Sequence, residues 1–196
     1  MANKHELTPA DIMPMADYSK RRSEERARVR EIKRNRRIEV GPLVTFYFEC
    51  YETMWLQVHE MIWIEKGGPE MAPDEIAAYN PLIPKGSELV ATFMIEIDDP
   101  DRRQRELGRL GGIERATYIG VGGHKIRGTA EEDAERTTPD GKASSVQFVH
   151  FRFPADAIVE FKKPGAEVQL GIDHPHYGHI AVIPESVRAE LARDFD

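Results

Sequence analysis

Three of the seven histidines in this chain fall within one seven-residue stretch, Asp173-His174-Pro175-His176-Tyr177-Gly178-His179, together with a carboxylate. Imidazole nitrogens bind zinc, iron, nickel and copper, and an aspartate beside them can either ligate or orient a ring through a hydrogen bond. Asp173, His174, His176 and His179 are therefore the leading candidate metal ligands, and a transition metal is the candidate cofactor, its identity open. Proton transfer and small-ligand binding are the other chemistry these groups could perform. A polar loop is the plainer alternative, with Asp173 and His174 bonded to backbone and Pro175 setting a turn.

A mononuclear site would draw further ligands from elsewhere, and His59 and Glu60 are weaker candidates for that role, with His124 and His150 behind them. His59-Glu60 resembles the start of HExxH, but the position four beyond His59 is Trp63, so the zincin mechanism is excluded. Cys50 lies where a strand gives way to a helix and has no identifiable base partner, which favours burial over nucleophilic catalysis. Ser144-Ser145 lacks the GxSxG context, and Gly120-Val121-Gly122-Gly123-His124 lacks the lysine and following helix of a phosphate loop.

Direction limits the histidine cluster. If Asp173-His174 continues a strand, the two side chains leave opposite faces, so at most two or three of the four groups converge. The narrower expectation is a two-residue anchor, with Asp173 and His174 each paired across a sheet.

The elements that must position these residues are readable from periodicity. Val168 to Ile172 and Ile180 to Ile183 are apolar runs, which makes 173–179 a rigid loop between two strands. Leu43 to Phe48, Glu88 to Ile97 and Ser145 to Phe153 alternate as strands, the second most clearly, with Leu89, Ala91, Phe93, Ile95 and Ile97 at period two. Ile38-Glu39-Val40 precedes a Gly41-Pro42 turn, and Tyr118 to Val121 with Lys125 to Arg127 flank Gly122-Gly123, so two hairpins are expected. Glu52 to Glu65 is apolar nearly all round and reads as a core helix that also contacts another subunit. Shorter helices are expected over 73–79, 100–110, 155–161 and from Pro184 to near Arg193, and a helix start at Thr8-Pro9-Ala10-Asp11. Thr129 to Lys142 is polar, without apolar period, and is expected to be an exposed, mobile loop.

Charge divides the chain. Lys20 to Arg37 holds ten basic residues and three glutamates, a local balance of +7 that leaves −14 for the remainder of a chain whose formal charge is −7. Asp17 to about Arg36 has neither proline nor glycine and reads as one long charged helix with a thin stripe of Tyr18, Val29 and Ile32. Arg26, Arg28, Arg30 and Arg34 could bind an anion or nucleic acid, but no aromatic residues interleave for base stacking and the acidic remainder repels phosphate. Nucleic acid is thus an unlikely partner, and docking of the helix on an acidic surface is preferred.

These patterns predict an α+β fold: a mainly antiparallel sheet of about six to seven strands, flanking helices and a long charged N-terminal helix. Residues 1–37 form a charged helical arm and 38–196 a single α+β domain. One cysteine cannot form an intramolecular disulfide, and no stretch of about 18 apolar residues occurs, so a cytoplasmic protein with no membrane partner is expected.

The segments Glu25-Arg26-Ala27-Arg28-Val29, Arg36-Arg37, Tyr79-Asn80-Pro81-Leu82-Ile83-Pro84 and Asp173-His174-Pro175-His176-Tyr177 resemble an uncharacterised bacterial family known only as a domain of unknown function. The resemblance spans most of the chain, and Ala78 to Pro84 is its most specific part. It implies a cytoplasmic protein from gene neighbourhoods encoding rubrerythrin-like and iron-sulfur oxidoreductase proteins, hence a redox setting, and carries no catalytic residues. The leading expectation is a non-catalytic or accessory protein that binds a metal, a small ligand or a redox-protein partner, with a homodimer also open. Its competitor is a metal-dependent enzyme using the 173–179 loop with His59 or Glu60. Anion or nucleic-acid binding through the basic helix is the third.

Overall fold

The computed structural model describes residues 4–130 and 141–196. Most of the predicted loop over 129–142 lies outside the described residues. Eight strands form one antiparallel sheet in the order β1-β2-β3-β6-β5-β4-β7-β8, where β1 is Arg37–Val40, β2 Val44–Phe48, β3 Glu88–Ile95, β4 Thr117–Val121, β5 His124–Ala130, β6 Val146–Arg152, β7 Val168–His174 and β8 Tyr177–Val182. The end strands β1 and β8 lie against each other, so the sheet curls into a nearly closed barrel. The α+β class is as expected, but the expected six to seven strands become eight. Each of the eight falls on a run read as a strand or a hairpin arm, so the expected total undercounted the arms.

Alternation explains the barrel. Val44, Phe46 and Phe48 on β2 face Ile95, Phe93 and Ala91 on β3, all buried, with the Phe46 and Phe93 rings 4.9 Å apart. Leu89, Ala91 and Phe93 in turn oppose Phe151, Val149 and Gln147 on β6, which continues the same inward face. Inward rows of this kind from all eight strands make one core. Closure needs small residues where backbones or rings approach. Gly171 is one: a Cβ there would sit 2.3 Å from the Tyr118 ring.

A second core lies outside the barrel, between α1 (Met15–Arg34), α2 (Tyr51–Ile64) and α3 (Ala72–Tyr79). The buried or half-buried positions of α1 are Met15, Tyr18, Arg22, Glu25, Val29 and Ile32, and Arg36 continues the series just past the helix. These residues are spaced alternately four and three apart, the repeat of one helix face. That face is thus continuous, with charges standing where apolar residues were sought. Glu25 is 4% exposed and takes hydrogen bonds from Arg21 at 2.7 Å and Arg28 at 2.9 Å.

Arg36 ties both ends of the chain to the barrel. It is 2% exposed and donates to the carbonyls of Phe48 and Glu49 at 3.1 and 3.0 Å, to Glu190 at 3.3 Å and to Asp194. Burial, opposed by the Arg36 charge, pushes the Asp194 carboxyl up to about 6. The remaining helices, α4 (Pro100–Leu107), α5 (Ala155–Lys162) and α6 (Glu185–Leu191), flank the barrel. No helix among the described residues is long and apolar enough to cross a membrane.

Candidate functional site

The histidine stretch is a β-hairpin and not a loop. β7 runs to His174 and β8 begins at Tyr177, with His174 paired to Tyr177 and only Pro175 and His176 at the turn. The predicted divergence of side chains follows. Asp173 lies on the outer face, where Arg127 and Lys125 donate to it at 2.7 and 2.8 Å from β5, two strands away. Those hydrogen bonds, Arg127 first, hold its carboxyl down to about 2.

His174 turns the other way. The His176 N–H donates to its Nδ1 at 3.2 Å, which leaves the proton on Nε2 to be donated to the Gly111 carbonyl at 3.2 Å. The rings of His174 and His176 are 5.8 Å apart. The His179 ring packs against Tyr177, tilted by 60° with centroids 4.4 Å apart, and lies against Gly41, where a Cβ would meet the imidazole at 2.5 Å. Gly41 has φ +68, so this turn suits only glycine on both counts.

Tyr177 shows why the hairpin is placed there. Its buried hydroxyl donates to the Val40 carbonyl at 2.8 Å and accepts from the Leu43 N–H at 2.9 Å, bridging the start of β8 to the β1–β2 turn. The tyrosine therefore closes the barrel seam. Among the described residues, no group of three or more His, Cys, Asp and Glu side chains is arranged to hold a metal ion.

The weaker candidates sit on α2. His59 is fully buried, accepts from the Met13 N–H through Nε2 at 3.0 Å and donates through Nδ1 to the Trp55 carbonyl at 2.7 Å. Burial lowers its pKa, consistent with a neutral ring holding one tautomer. Glu60 receives Arg22 through both oxygens at 2.8 Å and the Tyr18 hydroxyl at 2.6 Å. Burial opposes its ionisation, but these donors and charges outweigh it and leave its pKa lowered.

The four arginines proposed for anions are largely engaged within the chain. Arg26 is 3.9 Å from Glu60, Arg28 pairs with Glu25 and Arg34 with Glu31 at 3.1 Å, while Arg30 is exposed. Two of these pairs lie within the helix itself, and Glu60 on α2 is the acid that Arg22 and Arg26 reach from it. Cys50 is buried, and burial pushes its thiol up to about 11.

Sequence motifs did not mark one further feature of the surface. A cleft of about 420 Å³ lies between residues 9–16, α2 and the Pro69–Met71 turn. Ile12, Met13 and Met15 form one wall, and Ile62, Pro69 and Ala72 the other. The first wall is held by the His59 bond to Met13. No titratable side chain lines the cleft.

A family model described as "Protein of unknown function (DUF3501)" matches residues 6–195. The chain belongs to this family. No curated protein matches it. Among solved structures, it resembles a "novel protein of unknown function" from Burkholderia pseudomallei K96243, determined by crystallography at 1.90 Å. The two are 36% identical with a TM-score of 0.90, over 97% of this chain and 99% of the other. The DUF3501 match therefore covers both the cleft and the Tyr177 seam, and it assigns a role to neither. In hindsight the cleft had a faint signal: Ile12-Met13-Pro14-Met15 puts two flexible thioethers beside a helix-breaking proline, in a stretch too short to bury itself.

Proposed function

We propose that this DUF3501 protein is a non-catalytic accessory protein that binds an apolar group in the cleft between residues 9–16 and α2. The observation that carries this reading is the cleft's lining: apolar side chains throughout, at a volume typical of ligand pockets, with no acid, base or nucleophile among the lining residues. Met13 and Met15 suit it to an occupant of variable shape, because unbranched thioethers repack at low cost. Groups elsewhere that could do acid–base chemistry are held in local bonds: His59 by Met13 and Trp55, Glu60 by Arg22 and Tyr18, Asp173 by Arg127 and Lys125.

Titration with Nile red, a neutral apolar fluorophore, tests the reading. Wild type should bind with saturable fluorescence gain. Ala16→Trp, which places an indole at the exposed rim of the cleft, should weaken binding at least tenfold without lowering Tm. Equal binding by the two proteins would refute the cleft as the site.

A further inference from the structure

The surroundings of the cleft narrow its occupant. From Ile64 to Tyr79 the chain carries four carboxylates, Glu65, Glu70, Asp74 and Glu75, against one cation, Lys66. Three structural elements bring them together: the end of α2, the Pro69–Met71 turn that forms part of the cleft wall, and the first turn of α3. Glu65, Glu70 and Asp74 are exposed and Glu75 is half-buried. Partial burial, with the charges of Glu65 and Asp74, raises the Glu75 pKa. Ile64, 59% exposed, stands at the same end of α2.

Resting on the cleft reading above, we propose that the occupant is a basic amphipathic segment of another protein. It would seat one or two large apolar side chains in the cleft and lay flanking lysines or arginines against Glu65, Glu70, Asp74 and Glu75. An apolar anchor gives affinity, and the opposite charges steer and orient it. A neutral small molecule would fill the cleft but leave the carboxylates uncompensated. A two-fold pairing of this face with itself would set like charges against like, which disfavours a second copy as the partner.

The test uses two synthetic helical peptides with the same apolar face, one with lysines and one with glutamates on the polar face, competing with Nile red on the full chain. The lysine peptide should displace the dye and the glutamate peptide should not. Affinity for the lysine peptide should fall at least tenfold in the quadruple variant Glu65→Gln, Glu70→Gln, Asp74→Asn, Glu75→Gln. A control of equal net charge, Glu24→Gln, Glu39→Gln, Asp101→Asn, Glu167→Gln, should bind within twofold of wild type. Higher salt should weaken the lysine peptide and spare the dye.

If Nile red binds but both peptides displace it equally, or neither does, the basic-segment proposal fails and the cleft reading stands. Equal losses in the two quadruple variants would reduce the effect to net charge and also overturn the proposal. Concentration-dependent dimerisation blocked by Ala16→Trp would assign the cleft to a second copy instead. Absence of dye binding removes both readings.

Discussion

The 173–179 hairpin and the cleft beside α2 are opposites. The hairpin holds the densest set of reactive side chain types in the chain, and three of its groups are held in internal bonds: Asp173 to Arg127 and Lys125, His174 to Gly111 and to the His176 backbone, Tyr177 to Val40 and Leu43. The cleft holds no reactive side chain and offers open apolar surface. Reactive residue types and available sites are therefore separate properties. A histidine ligates through a nitrogen whose lone pair is free, and in His174 and His59 that lone pair already accepts a backbone N–H, whereas a methionine at a cleft mouth is available by default.

The sharpest way to break this comparison is at Tyr177. If the hairpin is a seam, Tyr177→Ala should cost about 3–5 kcal/mol, the range for removing a large buried ring. Tyr177→Phe, which keeps the ring but strands the Leu43 N–H and the Val40 carbonyl, should cost about 1–3 kcal/mol. Chemical denaturation measures both. Losses under 0.5 kcal/mol, on the ~0.5 kcal/mol scale of ordinary surface changes, would show that the seam closes without the tyrosine.

Next in size is His59→Leu, which strands the half-buried Met13 N–H and frees one wall of the cleft. It should cost about 1–3 kcal/mol and also weaken Nile red binding. A stability loss with unchanged dye affinity would uncouple the histidine from the cleft.

Asp173 gives a smaller, pH-dependent effect. Its carboxyl is held at about 2, below the ordinary aspartate range, so its contribution is full at neutral pH and is lost as pH falls toward 2. Asp173→Asn should cost less than about 1 kcal/mol at pH 7, because the side chain is 40% exposed and solvent screens the pairs. The difference from wild type should shrink as pH falls toward 2, and a difference that grows on acidification would contradict the assignment.

Smallest of all is His176→Ala at the exposed turn, expected within about 0.5 kcal/mol. A rise in wild-type Tm on adding zinc that His174→Ala and His176→Ala both abolish would reverse the comparison and make the hairpin a metal site.

Much of the fold was legible because alternation and turn chemistry are local. The runs at 43–48, 88–97 and 145–153 became β2, β3 and β6, and Gly41-Pro42 and Gly122-Gly123 both turned hairpins. Barrel closure was not legible, since it rests on contacts such as Tyr177 with Val40, 137 positions apart. The α1 stripe was half legible: its apolar members Tyr18 and Val29 are fully buried, but Glu25 and Arg22 complete the face through pairs with charges that no periodicity scale counts as core. The hairpin residues were found by type, and the strand argument rightly foretold that Asp173 and His174 diverge. The cleft was missed because it is made by the spacing between elements, not by a motif.

The most direct measurement is a chemical-shift map of the protein with Nile red added to saturation. Perturbations should centre on backbone amides of 12–16, 62–64 and 68–72, with those of 171–179 unmoved. The reverse pattern, with shifts at the hairpin and a silent cleft, would contradict the account.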